Sequence, residues 1–375
     1  MNNVIKYDVA IVGAGPAGCA AARECTLHGL RVVILEKKKI PRHKACSGIL
    51  VPDSISTLLK HFGNLPHEVS AVPPHINAMR MHFPGGHIGD VPISGLMIRR
   101  DRLDAWLCDA SGAEVLDETR MQSFSEKHDC VELLCVKPNG KLLSVHSKIV
   151  VAADGGSSSI VKIIEPKLTT KLTWYVALQD TYACKCNLDP GYFHFFALPE
   201  ISLYPSAYIK DDLLVMEVLV RIGDKATFAM ARFKDYLWKR IGIENVHLIR
   251  RLGCKVTYAA PRGLFCFGTD RILVSGEASG LLNLFGEGIS SALASGIIAG
   301  KVSVNSIQQG VSPGRLYQQE IEREKRKTIH TFNYKKILFG QDNAFNFKKG
   351  LSDLKWKERV IFYRNLLRWR LTLKA

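Results

Sequence analysis

Gly13-Ala14-Gly15-Pro16-Ala17-Gly18 is the first stretch of this chain whose residue types and spacing could do chemistry. Glycines spaced G-x-G-x-x-G between a strand and a helix can wrap a pyrophosphate. Gly13 permits a sharp turn, Gly15 admits the phosphates to the backbone, and Gly18 lets the helix lie on the strand. The free N–H groups and dipole of the helix start then favour the anion. Pro16 and Ala17 complete the candidate contact set, and Glu36 stands where a carboxylate can accept hydrogen bonds from two ribose hydroxyls. This chemistry holds a dinucleotide, and the loop alone does not separate FAD from NAD.

The elements that must position these residues are readable around them. Tyr7 to Val12 is a short apolar run suited to a buried parallel strand, and Cys19 to Cys25 is rich in helix formers. A second apolar run from Arg31 to Leu35 ends at Glu36. Strand, glycine turn, helix, strand and acid thus follow in the order a dinucleotide site requires. Two later segments repeat a strand-then-glycine design. Ile149 to Ala152 leads into Asp154-Gly155, and Arg271 to Ser275 leads into Gly276-Glu277, with Gly288-Ile289 beyond.

Together these segments resemble the flavoproteins of the para-hydroxybenzoate hydroxylase fold, and within them the geranylgeranyl reductase family. The marks of that family are Pro41 to Ile49, Arg99 to Leu107, and Gly286 to Ile289 followed by Ser295-Gly296. The resemblance covers about 1–160 and 255–300. It implies FAD as cofactor, with Gly13, Gly15, Pro16, Ala17, Gly18 and Glu36 on its ADP portion, beside Lys37 and Arg42. It also implies that Arg100 reaches the cofactor and that Met121 lies near the adenine. Cys46, Ser47, Gly48, Asp154, Gly155 and Gly276 are then further cofactor contacts, Glu277 takes the place of an aspartate whose neighbourhood meets the ribityl and pyrophosphate groups, and Gly288 and Ile289 offer N–H groups near the flavin ring. Two positions depart from the family: Glu277 replaces an aspartate, and Cys46-Ser47-Gly48 replaces Cys-Gly-Gly. Two readings of Cys46 stand side by side. It is a catalytic group near the flavin with Arg42 and Lys44 as cationic neighbours, or a small residue lining the pocket.

The expected fold is α/β, with a Rossmann-like FAD-binding domain over 1–165 and 255–310. A β-sheet substrate domain over 166–254 interrupts it, and a helical region over 311–375 follows. Within the sheet domain, Tyr192, His194 and Phe196 form the densest aromatic cluster and are candidate substrate-pocket residues. His194 alone is more often a hydrogen-bonded structural residue than a catalytic acid, and the cluster is also readable as one strand's alternation of core and surface.

Composition narrows the classes. No apolar run reaches the ~18 residues of a spanning helix, and the first residues do not read as a secretory signal. The ten cysteines carry no metal-site spacing and read as reduced thiols of a cytoplasmic protein. The net charge of +16 comes without a nucleic-acid motif, so nucleic acid is not an expected partner. Lys355 to Lys374 mixes apolar and cationic residues at helical spacing, read either as a helix packed on the first domain or as a peripheral membrane contact.

The resemblance implies a flavin reductase of carbon–carbon double bonds in a prenyl lipid or related hydrophobic substrate. NAD(P)H or a reduced electron carrier would be the transient donor, since a second glycine fingerprint is absent. The alternatives are an FAD-dependent monooxygenase or tailoring oxidase of small-molecule metabolism, and a non-enzymatic flavin-binding protein.

Overall fold

The computed structural model describes residues 4–83 and 85–332. The chain opens with β1 (Val4–Val12), α1 (Pro16–Leu27) and β2 (Val32–Leu35). Next come β3 (Ile49–Leu50), α2 (Pro52–Phe62), β4 (Ser70–His82) and β5 (Ile88–Ile98). α3 (Arg100–Ser111) leads into β6 (Glu114–Leu116), β7 (Arg120–Glu126), β8 (Val131–Val136) and β9 (Leu142–Ala152). α4 (Ser159–Ile164) and α5 (Pro166–Lys171) precede β10 (Trp174–Lys185), β11 (Tyr192–Phe196), β12 (Ser206–Lys210) and β13 (Leu213–Arg221). Then follow α6 (Ala226–Ile241), β14 (Glu244–Thr257), β15 (Ile272–Val274), α7 (Ile289–Gln309), α8 (Pro313–Glu320) and α9 (Glu322–Phe332).

The first sheet runs β6-β2-β1-β9-β8-β7, with β15 on the far half of β9. Its β6-β2-β1-β9 and β9-β15 pairings are parallel, as buried apolar strands without alternation predict. Val9 and Ile11 pack beneath α1, α3 and α7, while Ala10 and Val12 join the core on the opposite face. The expected strand, turn, helix and strand are all present.

α1 and α7 lie against each other through small residues. A Cβ on Gly296 would stand 2.2 Å from the Ala17 carbonyl oxygen, and one on Gly300 2.6 Å from the Glu24 Cβ. The two helices are therefore parallel, and α7 starts several residues further back than α1. At ~1.5 Å per residue its start projects about 9 Å past that of α1.

The second sheet runs β14-β10-β13-β12-β11-β4-β5-β3. One face is covered by α6, whose Met230, Phe233 and Leu237 pack on Met216, Val218 and Val220. The other face carries Tyr208 and Val215 and looks toward the first domain. Residues 49–98, placed with the first domain by sequence, supply β3, β4 and β5 of the second sheet. β4 joins it by parallel pairing with β11, a long-range contact that no local pattern announces.

The basic stretch Lys355 to Lys374 lies outside the described residues. Among those described, no helix is long and apolar enough to cross a membrane.

Candidate active site

The glycine loop is strained where the fold needs it. Gly13 has φ +108°, and a Cβ there would stand 2.4 Å from the Ala153 carbonyl oxygen. Gly18 touches the Gly13 carbonyl, which seats α1 on β1. Gly15 differs: a Cβ there would meet only the Arg42 guanidinium, at 4.0 Å, so its smallness serves no packing partner of the protein. No side chain caps the start of α1, which leaves its first N–H groups available to an anion.

Glu36 is buried at the end of β2, where its Oε2 accepts the Ala14 N–H at 3.1 Å and its Oε1 the Lys38 N–H at 3.0 Å. Arg42 crosses from the following loop. Its Nε lies 3.2 Å from Glu36 Oε2, its Nη1 3.1 Å from Asp104 Oδ2, and its Nη2 donates to the Ala14 carbonyl at 3.3 Å. The Nε is buried without a hydrogen-bond acceptor, so its contact with Glu36 is one of charge alone. An open cradle at Gly15, an uncapped helix start, a buried carboxylate and a donor in need of an acceptor together fit the ADP part of FAD.

Arg100 continues this line of charge. It donates to Asp104 through Nε at 2.9 Å and Nη2 at 3.3 Å. Burial opposes its charge, and Asp104 and Cys46 beside it overcome that, holding the guanidinium above the ordinary arginine range. Met121 is buried in the core, and backbone two residues earlier reaches the site, with the Thr119 N–H donating to the Glu36 carbonyl at 2.8 Å. Lys37 is exposed.

The distant glycine segments converge. Asp154 Oδ2 accepts from the Ser159 N–H at 2.7 Å, while its Oδ1 is buried without a partner. Gly156 leaves room for Glu277, whose Oε1 would be 2.6 Å from a Cβ there. Gly276 packs on Ala17 and is held to α7 by the Ser295 hydroxyl at 2.9 Å from its N–H. Gly288 and Ile289 open α7 without a side-chain cap, although Glu287 accepts the Ser290 N–H at 2.8 Å. Burial raises the Glu287 carboxyl above its usual range.

Cys46, Ser47 and Gly48 cross between the two sheets. Gly48 has φ +74°, with space closed by the Ile98 carbonyl and the Lys210 Nζ. Its N–H lies 3.4 Å from the Cys46 Sγ. The second sheet meets this loop with groups the sequence did not single out. Gln179 Nε2 donates to the Cys46 carbonyl at 3.1 Å and to Glu217 Oε1 at 2.6 Å. Tyr208 donates to Glu217 Oε1 at 3.0 Å, Ser206 to Oε2 at 3.3 Å, and Lys210 Nζ to the Ser47 carbonyl at 3.2 Å. Their only sequence signal is that Tyr208 and Lys210 share a strand face two residues apart.

The aromatic cluster divides across its sheet. Phe193 stacks on Tyr208, at 5.2 Å between centroids, on the face turned to the cysteine loop. Tyr192, His194 and Phe196 are on the reverse face, where Phe196 meets Phe233 and Tyr236 of α6. The structure thus does not bring these three candidate pocket residues to the loop, and strand alternation is the reason.

The fold and this site define an FAD-dependent oxidoreductase. Residues 6–179 match the FAD binding domain family, and FAD is the cofactor. The chain is 25% identical to digeranylgeranylglycerophospholipid reductase 1 of Methanosphaera stadtmanae, over 84% of this chain and 79% of the relative. It is 26% identical to geranylgeranyl diphosphate reductase of Rhodobacter capsulatus, covering 82% of this chain and 77% of the relative. A geranylgeranyl bacteriochlorophyll reductase-like protein from Thermoplasma acidophilum shares the fold, with a TM-score of 0.79 at 19% identity, covering 97% of this chain and all of its own. These matches bear out the geranylgeranyl-reductase resemblance read from the motifs.

Proposed function

We propose that this oxidoreductase reduces carbon–carbon double bonds in a prenyl lipid or a related hydrophobic substrate. The observation that carries the reading is similarity to a named prenyl-lipid reductase across 84% of the chain, well beyond the nucleotide domain. Bound FAD would supply hydride chemistry. The chain's own part is divided by depth. The glycine loop, Glu36 and Arg42 hold the ADP end, and the α7 start offers N–H donors further in. The Cys46-Ser47-Gly48 loop separates the cofactor from the wall made by β10, β12 and β13. NAD(P)H or a reduced carrier protein is the proposed electron donor.

A second reading keeps the fold and changes the substrate. Gln179, Tyr208, Glu217 and Lys210 make that wall more polar than a purely lipid-facing surface. This favours a hydroxylase acting on a polar aromatic compound.

One experiment separates the two. The FAD-loaded protein is reduced anaerobically with NADPH, NADH or dithionite and mixed with geranylgeranyl lipids, and products are followed by mass spectrometry. Hydrogenated lipid supports the first reading. No hydrogenation, together with oxygen consumption stimulated by an aromatic substrate, overturns it in favour of the second. A prenyl-lipid substrate would be met at a membrane surface, so a cytoplasmic protein in peripheral contact with membrane belongs to the proposal. Flotation with anionic vesicles tests that part.

A further inference from the structure

The buried polar cluster of the second sheet is assembled from three strands and closes on one point. Strand alternation puts Gln179 of β10, Ser206, Tyr208 and Lys210 of β12, and Glu217 of β13 on the face opposite α6. Gln179 and Glu217 are direct register partners, as are Ser206 and Glu217. Glu217 thereby receives three side-chain donors, Gln179 at 2.6 Å, Tyr208 at 3.0 Å and Ser206 at 3.3 Å. Tyr208 is fully buried, and Gln179 and Ser206 nearly so, while Glu217 is half-buried and faces the gap between the sheets. A carboxyl on this face costs stability that an apolar residue would not, and its three donors offset part of that cost.

The cluster's outward contacts all go to one loop. Gln179 donates to the Cys46 carbonyl at 3.1 Å, and Lys210 to the Ser47 carbonyl at 3.2 Å. On its other side, Cys46 touches Arg100, which pairs with Asp104, and Asp104 also pairs with Arg42 at the ADP end. A line of charged and polar groups therefore runs from Glu36 past Cys46 to Glu217.

We infer that Glu217 is a proton-holding positioning residue. Through Gln179, and balanced by Lys210, it fixes the Cys46-Ser47-Gly48 loop where the flavin ring meets the substrate wall. Glu217 acts through its neighbours on the loop rather than on the reacting atoms. Gain or loss of its proton changes whether Gln179 is drawn to a carboxylate or shared with the Cys46 carbonyl. Burial holds Glu217 above the usual carboxylate range and Lys210 below the usual ammonium range, so their charges are responsive to what fills the gap. The other titratable groups facing the pair are Tyr208, Cys46 and Cys254 around Glu217, and Asp101 and Asp211 around Lys210.

The inference rests on the flavin reading, and two readouts keep their failures apart. The full chain is compared with E217Q, which keeps the shape, with E217D, which keeps the acid, and with Q179M, which cuts the link to the loop. The first readout needs no cofactor: the alkylation rate of Cys46 by iodoacetamide, resolved from the other thiols by peptide mass spectrometry, between pH 6 and 9. E217Q and Q179M should each change that rate at least about three-fold, and E217D should restore it toward the parent. The second readout is the visible spectrum and midpoint potential of bound FAD across the same pH range. The parent should show an inflection in potential against pH that E217Q lacks and E217D keeps.

Unchanged Cys46 alkylation and an unchanged potential profile in both E217Q and Q179M would overturn the inference. If the parent takes up no FAD, the flavin reading fails and alkylation alone decides. Melting temperature and circular dichroism identify a misfolded variant, and Q179M then carries the test.

Discussion

The Arg42 guanidinium meets the Glu36 carboxylate with Nε 3.2 Å from Oε2, and its other arm reaches Asp104. One side chain thus contacts two buried acids beside the glycine loop, and Arg100 shares the second. An incoming pyrophosphate would find a cation already in place, with one donor still lacking an acceptor. Arg42→Ala should weaken FAD binding by about 10-fold, the loss of one charge-assisted contact. It should also lower the melting temperature by a few degrees, because Glu36 keeps only backbone donors. Fluorescence titration of the apoprotein with FAD and a thermal melt measure the two effects.

The glycines of the loop should separate under substitution. Gly13→Ala places a Cβ 2.4 Å from the Ala153 carbonyl in a left-handed backbone, so the fold itself should suffer. Gly15 has an ordinary extended backbone, φ −95°, with nothing of the protein nearby except Arg42. Gly15→Val should therefore keep the parent melting temperature within about 1 kcal/mol of stability while losing bound flavin colour. A yellow Gly15→Val protein would remove the loop from the FAD site.

His82 and His194 share one proton across 2.9 Å. The His194 Nε2 lies 3.0 Å from the Asp189 carbonyl, so that nitrogen carries hydrogen and His82 donates to the His194 Nδ1. Burial, then the neighbouring His194, pulls His82 from 6.5 to about 4, and burial lowers His194 as well. The folded state binds fewer protons than the unfolded one between those values, so this stability is present above pH 6.5 and is lost as pH falls toward 4. Solvent screening limits the effect to about 1–2 kcal/mol. His82→Phe keeps the stack on Phe196 and should flatten that acid limb in urea melts taken from pH 4 to 7.

Asp180 is completely buried in β10 and is held by Arg251 of β14 through two bonds of 2.7 Å and by the Tyr182 hydroxyl at 2.9 Å. Removing the cation leaves a buried carboxylate with a single neutral donor. Arg251→Met should cost about 2–4 kcal/mol in chemical denaturation. Arg251→Met combined with Asp180→Asn should recover much of it, since the stranded charge is then gone.

The sequence by itself determined the nucleotide end of this protein. Gly13, Gly15, Gly18 and Glu36 fall within one β-α-β unit, where strand and helix periods fix every side chain's direction from its neighbours. Local backbone geometry is enough to aim them: Gly13 turns the chain, Gly18 seats α1 on β1, and Glu36 is buried at the end of β2. What meets the Cys46 loop was decided elsewhere. Alternation along β11 divides Tyr192, His194 and Phe196 from Phe193 and Phe195, but nothing in the strand says which set α6 will cover. Gln179, Tyr208 and Glu217 look unexceptional in their own strands. They become one cluster only through cross-strand register, and it meets Cys46 through Gln179 of β10, while β3, β4 and β5 from within the first domain's stretch of chain complete the same sheet. Those pairings join residues far apart in the chain, and it is the burial of both sheets' apolar faces that selects them.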